Sequence, residues 1–122
     1  GIYDHKGGAG TLYENKVFLE SIIKYDRKYL HYHEGWFQET LPRVSDSIKE
    51  IAILRLDADY YASTKVVLEY LYDKVVKGGF VIIDDYGAYD GCKKAVDEFL
   101  ARRGESLFLN YVTKDIRYII KM

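Results

Sequence analysis

Two short apolar runs, each ending in carboxylates and separated by about one helix, constrain this chain more than any other feature. Ile51-Ala-Ile-Leu-Arg-Leu56 and Phe80-Val-Ile-Ile83 are near-continuous apolar segments of the kind found in strands buried on both faces. The first ends in Asp57, and the second ends in Asp84-Asp85, with 27 positions separating Asp57 from Asp84. Between them Ser63 and Thr64 offer an N-cap, Val67, Leu71 and Val75 fall four apart, and Gly78-Gly79 supplies a stop. That spacing predicts a helix of about four turns. A strand, a helical crossover and a second strand form a right-handed parallel βαβ unit, whose strand ends face the side where open α/β sheets bind ligands.

The rest of the chain extends this α/β reading. Cys92, Ala95, Val96, Phe99 and Leu100 follow helical spacing up to Arg102, Arg103 and a terminal Gly104. Leu107 to Val112 and Arg117 to Lys121 read as two strands joined by Thr113-Lys-Asp115, an antiparallel pair at one edge. Upstream, Gly1 to Thr11 reads as a loop, and Leu12 to Tyr25 as a helix through Phe18, Ile22 and Tyr25. Tyr29 to His33 reads as a short strand, and Trp36 to Ile48 as a segment holding a helix with Pro42 near its beginning.

Composition narrows the function classes. A chain of 122 residues with 48% hydrophobic and 30% charged residues is a one-domain globular sequence and not a disordered one. Its formal charge of -1, with no long run of either sign, argues against nucleic acid or anionic lipid as a partner. Cys92 stands alone, so it has no intrachain disulfide partner and provides no cysteine zinc site. No apolar stretch reaches membrane-spanning length and no export signal is visible, so the expected compartment is the cytoplasm.

The strand order would gather Asp57, Asp59, Asp84 and Asp85 in one small region. Carboxylates at that density repel one another, and the usual remedies are a hard divalent cation or a raised pKa on one of them. The expected occupant is of the magnesium type. Solvated loop acids, with Asp59 capping the next helix, are the plain alternative. His31 and His33 share one face of the Tyr29 to His33 strand but lack an obvious third ligand. Trp36 and Phe37 after Gly35 have the character of a stacking surface for a planar group, or of ordinary core. Arg55, inside an apolar strand, needs a carboxylate partner.

Four ordered blocks carry a resemblance to a known family: Gly-Trp-Phe-Gln-Glu-Thr-Leu-Pro (35–42), Ile-Leu-Arg-Leu-Asp-Ala-Asp-Tyr-Tyr-Ala-Ser-Thr (53–64), Gly-Gly-Phe-Val-Ile-Ile-Asp-Asp-Tyr-Gly (78–87) and Gly-Cys-Lys-Lys-Ala-Val-Asp-Glu-Phe (91–99). Together they resemble the macrocin O-methyltransferases. The resemblance implies methyl transfer from S-adenosylmethionine to a sugar hydroxyl, with Mg2+, on a Rossmann-like methyltransferase fold. It implies that Asp57, Asp84 and Asp85 are metal ligands, that Asp59 is the general base, and that Gly35, Trp36, Phe37 and Gln38 border the adenine. The implied partner is a small sugar-containing acceptor, with a second copy of the chain as a further candidate. Two departures stand out. Ala58 replaces the family's usual glycine, which is tolerable unless φ there is positive. The glycine-rich first strand and turn that hold the cofactor's methionine and ribose are not found. The expectation is therefore a partial fold over residues 1–122, the C-terminal part of a class I methyltransferase domain: a parallel βαβ core with an antiparallel edge pair.

Other functions compete. In haloacid dehalogenase-type phosphatases an Asp-x-Asp supplies nucleophile and acid, although their acidic motifs lie much further apart. An Asp-x-Asp glycosyltransferase leaves Asp84-Asp85 unexplained. A folded but inactive metal-binding fragment is the non-enzyme alternative.

Overall fold

The computed structural model describes residues 12–104 and 108–122. The loop expected over residues 1–11, and Leu107 at the start of the first edge strand, therefore lie outside the described residues. The chain divides into two compact units, residues 1–34 and 35–122.

In the first unit, α1 (Leu12–Val17) runs into a wider π-helical turn over Phe18–Ile22, so the expected helix forms but stops short of Tyr25. The strand expected over Tyr29 to His33 does not form. Arg27–Tyr29 is a single 3-10 turn whose preceding Asp26 accepts from the Lys28 N–H at 3.1 Å. Leu30 is extended, but no described strand pairs with it. A strand without a ladder has no partner for its N–H and C=O groups, so water competes successfully for them.

The second unit contains α2 (Phe37–Val44), β1 (Ile51–Leu56), α3 (Tyr61–Leu71), β2 (Val75–Ile83), α4 (Asp90–Arg103), β3 (Asn110–Tyr111) and β4 (Arg117–Ile120). The sheet order is β1-β2-β4-β3, with β1 and β2 parallel and β4 antiparallel to both of its neighbours. This is an α/β fold with a mixed sheet: the expected parallel βαβ unit followed by an antiparallel pair at one edge. Leu54, Leu56, Val81, Ile83 and Ile119 form a buried core with Val67, Leu68 and Leu71 of α3 and Val96 and Phe99 of α4.

Several local expectations need correction. Tyr60, rather than Ser63 or Thr64, occupies the N-cap position of α3, and Ser63 turns its hydroxyl back to donate to the Ala58 carbonyl at 2.5 Å. The helix also ends at Leu71, before Gly78-Gly79, because the chain passes through a 3-10 turn and enters β2 at Val75. The glycine pair instead serves an irregularity within that strand. Ile51 and Ile53 of β1 face Val75 and Phe80 of β2, so β2 must absorb extra residues between two ladder positions. Gly78 adopts φ 82° there, and a Cβ on Gly79 would lie 2.8 Å from the Ala52 carbonyl oxygen. Pro42 sits sixth in α2 rather than near its beginning. The hydrogen bond it forfeits is to the carbonyl of exposed Gln38, which water can reach. Finally, β1 is buried on one face only, since Ile53 and Arg55 are exposed. The apolar run is continuous in sequence, but only one side of the described sheet is covered by helices.

Among the described residues no helix is long and apolar enough to cross a membrane.

Candidate acidic site

The site is built at the C-terminal ends of β1 and β2. Their ladder extends one step beyond the strands, where the Asp84 N–H donates to the Leu56 carbonyl at 3.0 Å, holding the two acidic segments side by side. After Asp57 the chain turns sharply. The Tyr60 N–H donates to the Ala58 carbonyl at 2.5 Å, and Asp59 takes a left-handed φ of 55°. Aspartate tolerates that region better than most residues, and strain of this kind is concentrated where a side chain has to be aimed. Ala58 is buried and does not take a positive φ, so this turn makes no demand for the family's glycine.

Oxygens of Asp57, Asp59 and Asp85 all lie within 4.8 Å of one another. Asp85 is the deepest in character: its Oδ2 is buried with no hydrogen-bond donor reaching it. Burial pushes the Asp85 carboxyl up to about 7, and its contact with Asp59 and the charges of Asp59 and Asp57 push the same way. An orphaned buried oxygen among three hard oxygen donors fits a divalent cation of the magnesium type, which removes the repulsion that otherwise keeps a proton on Asp85.

Asp84 takes a different direction. Its carboxylate receives both Nε and Nη2 of Arg55, the former at 3.3 Å, and Arg55 Nη2 also lies 3.8 Å from Asp57. Arg55 thus has the carboxylate partner its sequence position demands. The trio that meets is Asp57, Asp59 and Asp85, not the expected Asp57, Asp84 and Asp85, because a bidentate guanidinium already holds Asp84. Asp59 does not act as a helix cap, since α3 has no side-chain cap.

The segment expected to border adenine lies at the start of α2. Gly35 has φ 135°, and a Cβ there would meet Thr40 Cγ2 at 3.1 Å. The Trp36 carbonyl accepts from the Glu39 and Thr40 N–H groups at 2.9 Å and from the Thr40 hydroxyl at 3.1 Å, which fixes the turn. Trp36, Phe37 and Gln38 are exposed. His31 and His33 are also exposed, and among the described residues no group of three metal-ligating side chains includes them. Two residues beside the acids were not singled out by sequence: Tyr60 and Tyr89, whose rings meet edge-on at 6.1 Å. The available signal was position, since Tyr60 follows Asp59 directly and Tyr89 immediately precedes α4.

Comparison with known proteins bears on this geometry. The sequence model of TylF, macrocin O-methyltransferase, matches residues 19–118. The chain is 50% identical over 68 residues to demethyldecarbamoylnovobiocin O-methyltransferase of Streptomyces niveus, a match covering 56% of this chain and 25% of that protein. It is 47% identical over 72 residues to a Streptomyces olivaceus 8-demethyl-8-(2,3-dimethoxy-alpha-L-rhamnosyl)-tetracenomycin-C 4'-O-methyltransferase, covering 59% of this chain and 26% of that protein. Among solved structures it resembles the O-methyltransferase NovP, with a TM-score of 0.68 at 40% identity, over 78% of this chain and 41% of NovP. It also resembles CalS11, a TDP-rhamnose 3'-O-methyltransferase, with a TM-score of 0.60 at 28% identity, over 72% of this chain and 39% of that one. The chain thus spans about a quarter of the length of the curated relatives it matches.

Proposed function

This chain belongs to the macrocin O-methyltransferase family, and on that premise we propose that it carries the cation-binding and proton-accepting part of a methyl transfer from S-adenosylmethionine to a sugar hydroxyl. The observation that most supports this reading is the meeting of Asp57, Asp59 and Asp85 at the ends of two parallel strands. The relatives named for a rhamnosyl tetracenomycin and for TDP-rhamnose support a small sugar-bearing acceptor. The relatives reported above are all named as O-methyltransferases, and none supports the phosphatase alternative.

Asp57 and Asp85 are the residues we assign to the cation. When bound there, magnesium supplies the positive charge that favours the deprotonated form of an acceptor hydroxyl. Asp59, in the same cluster but held by a separate backbone turn, takes the hydroxyl proton as general base. Asp84 is the third ligand that the resemblance implies, and a cation would have to compete with Arg55 for it. Gly35, Trp36, Phe37 and Gln38 are assigned to the adenine side of the cofactor. Stacking on Trp36 or Phe37 is worth about 1–3 kcal/mol by analogy with base stacking, which on its own leaves affinity near millimolar or weaker.

Calorimetric titration of this chain with magnesium tests the ligand assignment. Binding that Asp57→Asn and Asp85→Asn each abolish supports it; absence of binding, or binding indifferent to both substitutions, refutes it. The reaction is tested by joining these residues to the remaining portion of the Streptomyces niveus relative and measuring methyl transfer from S-adenosylmethionine to methyl α-L-rhamnopyranoside.

A further inference from the structure

Asp85 belongs to the turn between β2 and α4, and that turn is docked against the tip joining β3 to β4, a part of the chain that the chemistry above does not use. The Gly87 N–H donates to the Asp115 carbonyl of the tip at 2.9 Å. Within the turn, the Ala88 and Tyr89 N–H groups donate to the Asp85 carbonyl at 3.1 and 3.0 Å. Gly87 therefore links the segment that carries Asp85 to a separate element. The approach is too close for any other residue: a Cβ on Gly87 would overlap the Lys114 carbonyl oxygen and come within 3.1 Å of the Asp115 Cα.

The tip is itself fastened from within. Thr113 Oγ1 accepts from the Asp115 and Ile116 N–H groups, both at 3.2 Å, and the Val112 N–H donates to the Ile116 carbonyl at 3.1 Å. Arg117 Nη1 donates to the carbonyls of Thr113, Ile116 and Lys114 at 2.7, 3.1 and 3.4 Å. The same guanidinium lies 5.4 Å from the centre of the Tyr86 ring and 4.5 Å from that of Tyr111. Tyr86 follows Asp85 directly, and its hydroxyl donates to Asp97 of α4 at 2.6 Å. In the ladder Arg117 stands opposite Ile83, the last residue of β2. Arg117 thus touches the tip with its donors and the acidic turn with its plane.

What this fastening does is seen at Asp85. Its carboxyl is brought up to Asp57 and Asp59 against their mutual repulsion, and Oδ2 is buried without a donor. A turn free to shift would separate these groups, so the surroundings have to hold it in place. Thr113 and Lys114 are exposed, and a surface tip that only reversed the chain would have no need of Arg117 across three of its carbonyls. We propose that Gly87 and Arg117 are positioning residues for Asp85: the β3–β4 tip is a rigid stop to which the β2–α4 turn is docked, and it keeps the carboxylate within reach of a cation shared with Asp57 and Asp59. The link to the cation rests on the function proposed above, whereas the docking of the turn does not. The action is the familiar one of an outer group that orients a ligand it never replaces.

Two readouts on the 122-residue chain test this: amide hydrogen exchange at Gly87, Ala88 and Tyr89, with the β1–β2 ladder as internal reference, and calorimetric titration with magnesium. Arg117→Met keeps a long side chain without its donors. It is expected to lower protection of these amides about tenfold relative to the ladder, and magnesium affinity about fivefold or more. Thr113→Val, which removes the acceptor inside the tip, is expected to weaken magnesium about threefold, and Thr113→Ser, which retains it, less than about twofold. Gly87→Ala should show the largest loss of both, and the softer Arg117 and Thr113 substitutions keep the test decisive if that variant does not fold. Val75→Ala, at the far end of β2, lowers stability alone and should leave the relative protection and the magnesium affinity of the folded chain unchanged. Relative protection that stays constant in both Arg117→Met and Thr113→Val overturns the proposal, as does, in a chain that binds magnesium, an affinity that neither substitution changes. If the unsubstituted chain binds no magnesium but its variants lose protection at the turn, the docking stands and the cation reading falls.

Discussion

On one face of the sheet Leu54, Leu56, Val81, Ile83 and Ile119 are buried against α3 and α4, whereas on the other Ile53, Phe80 and Ile120 remain 62%, 40% and 41% exposed. The residue types are nearly the same, and the ladder places them alternately: Leu54 faces Val81, and Ile53 faces Phe80. What differs is whether a helix lies above. The contrast continues into the acids that follow. Asp84 is drawn to Arg55, the exposed neighbour of Leu54 and Leu56, while Asp85 meets Asp57 and Asp59 and is tied to the start of α4 through Tyr89. Two adjacent aspartates therefore have opposite surroundings. One faces a guanidinium, and the other faces its own kind with an oxygen out of reach of water and donors.

The sharpest way to break this comparison is to truncate one residue on each face. Ile83→Ala removes a fully buried side chain and is expected to cost about 3–4 kcal/mol, whereas Ile53→Ala should cost less than about 1 kcal/mol. Urea unfolding measures both. Equal losses would mean that the exposed face is covered in solution.

A next smaller effect concerns the acids. In the chimera with the Streptomyces niveus relative, Asp59→Asn is expected to slow methyl transfer about 10²-fold, or about 2.7 kcal/mol, with magnesium affinity nearly unchanged. If magnesium binding is lost instead, and Asp57→Asn preserves it, the ligand and base roles are exchanged.

Protonation sharpens the distinction between Asp85 and Asp84. The folded Asp85 carboxyl sits near 7, well above its ordinary 3.8, because of burial and the neighbouring carboxylates. Without a cation, folding therefore favours the protonated form. This benefit is full below the unfolded pKa and is lost as pH rises toward 7, where ionisation places a third negative charge in the cluster. Magnesium requires the opposite form, so its affinity should fall by up to about tenfold per unit as pH drops below about 7. Calorimetry at pH 5.5, 6.5 and 7.5 checks this, and a flat profile would mean that Asp85 is not a ligand.

The smallest expected change is at Arg55. Removing it as Arg55→Gln frees Asp84 and withdraws a positive charge 3.8 Å from Asp57, so magnesium affinity should rise. The Arg55 side chain is 61% exposed, and solvent screening limits the gain to about fivefold, or about 1 kcal/mol. Weaker binding would instead show that Arg55 aligns the acids rather than competing with the cation.

Local pattern and spacing determined much of this protein from sequence alone. The two apolar runs become neighbouring parallel strands, α4 spans the periodic segment and stops at Gly104 with φ 64°, and the last two strands pair antiparallel at an edge. Those features depend on hydrophobic period, chain length and turn chemistry, all of which are written in consecutive residues. The strand-end acids were legible for the same reason, since parallel connection sends both carboxyl ends to one side. Tertiary structure decided the rest. Whether residues 29–33 form a strand depends on a partner for their backbone, and the placement of Gly78-Gly79 depends on the register between β1 and β2. The choice between Asp59 and Asp84 as the third member of the cluster rests on a left-handed turn at one residue and a guanidinium at the other. Apolar pattern carries no information about such contacts, because they are settled by side chains 29 positions apart in sequence, as Arg55 and Asp84 are.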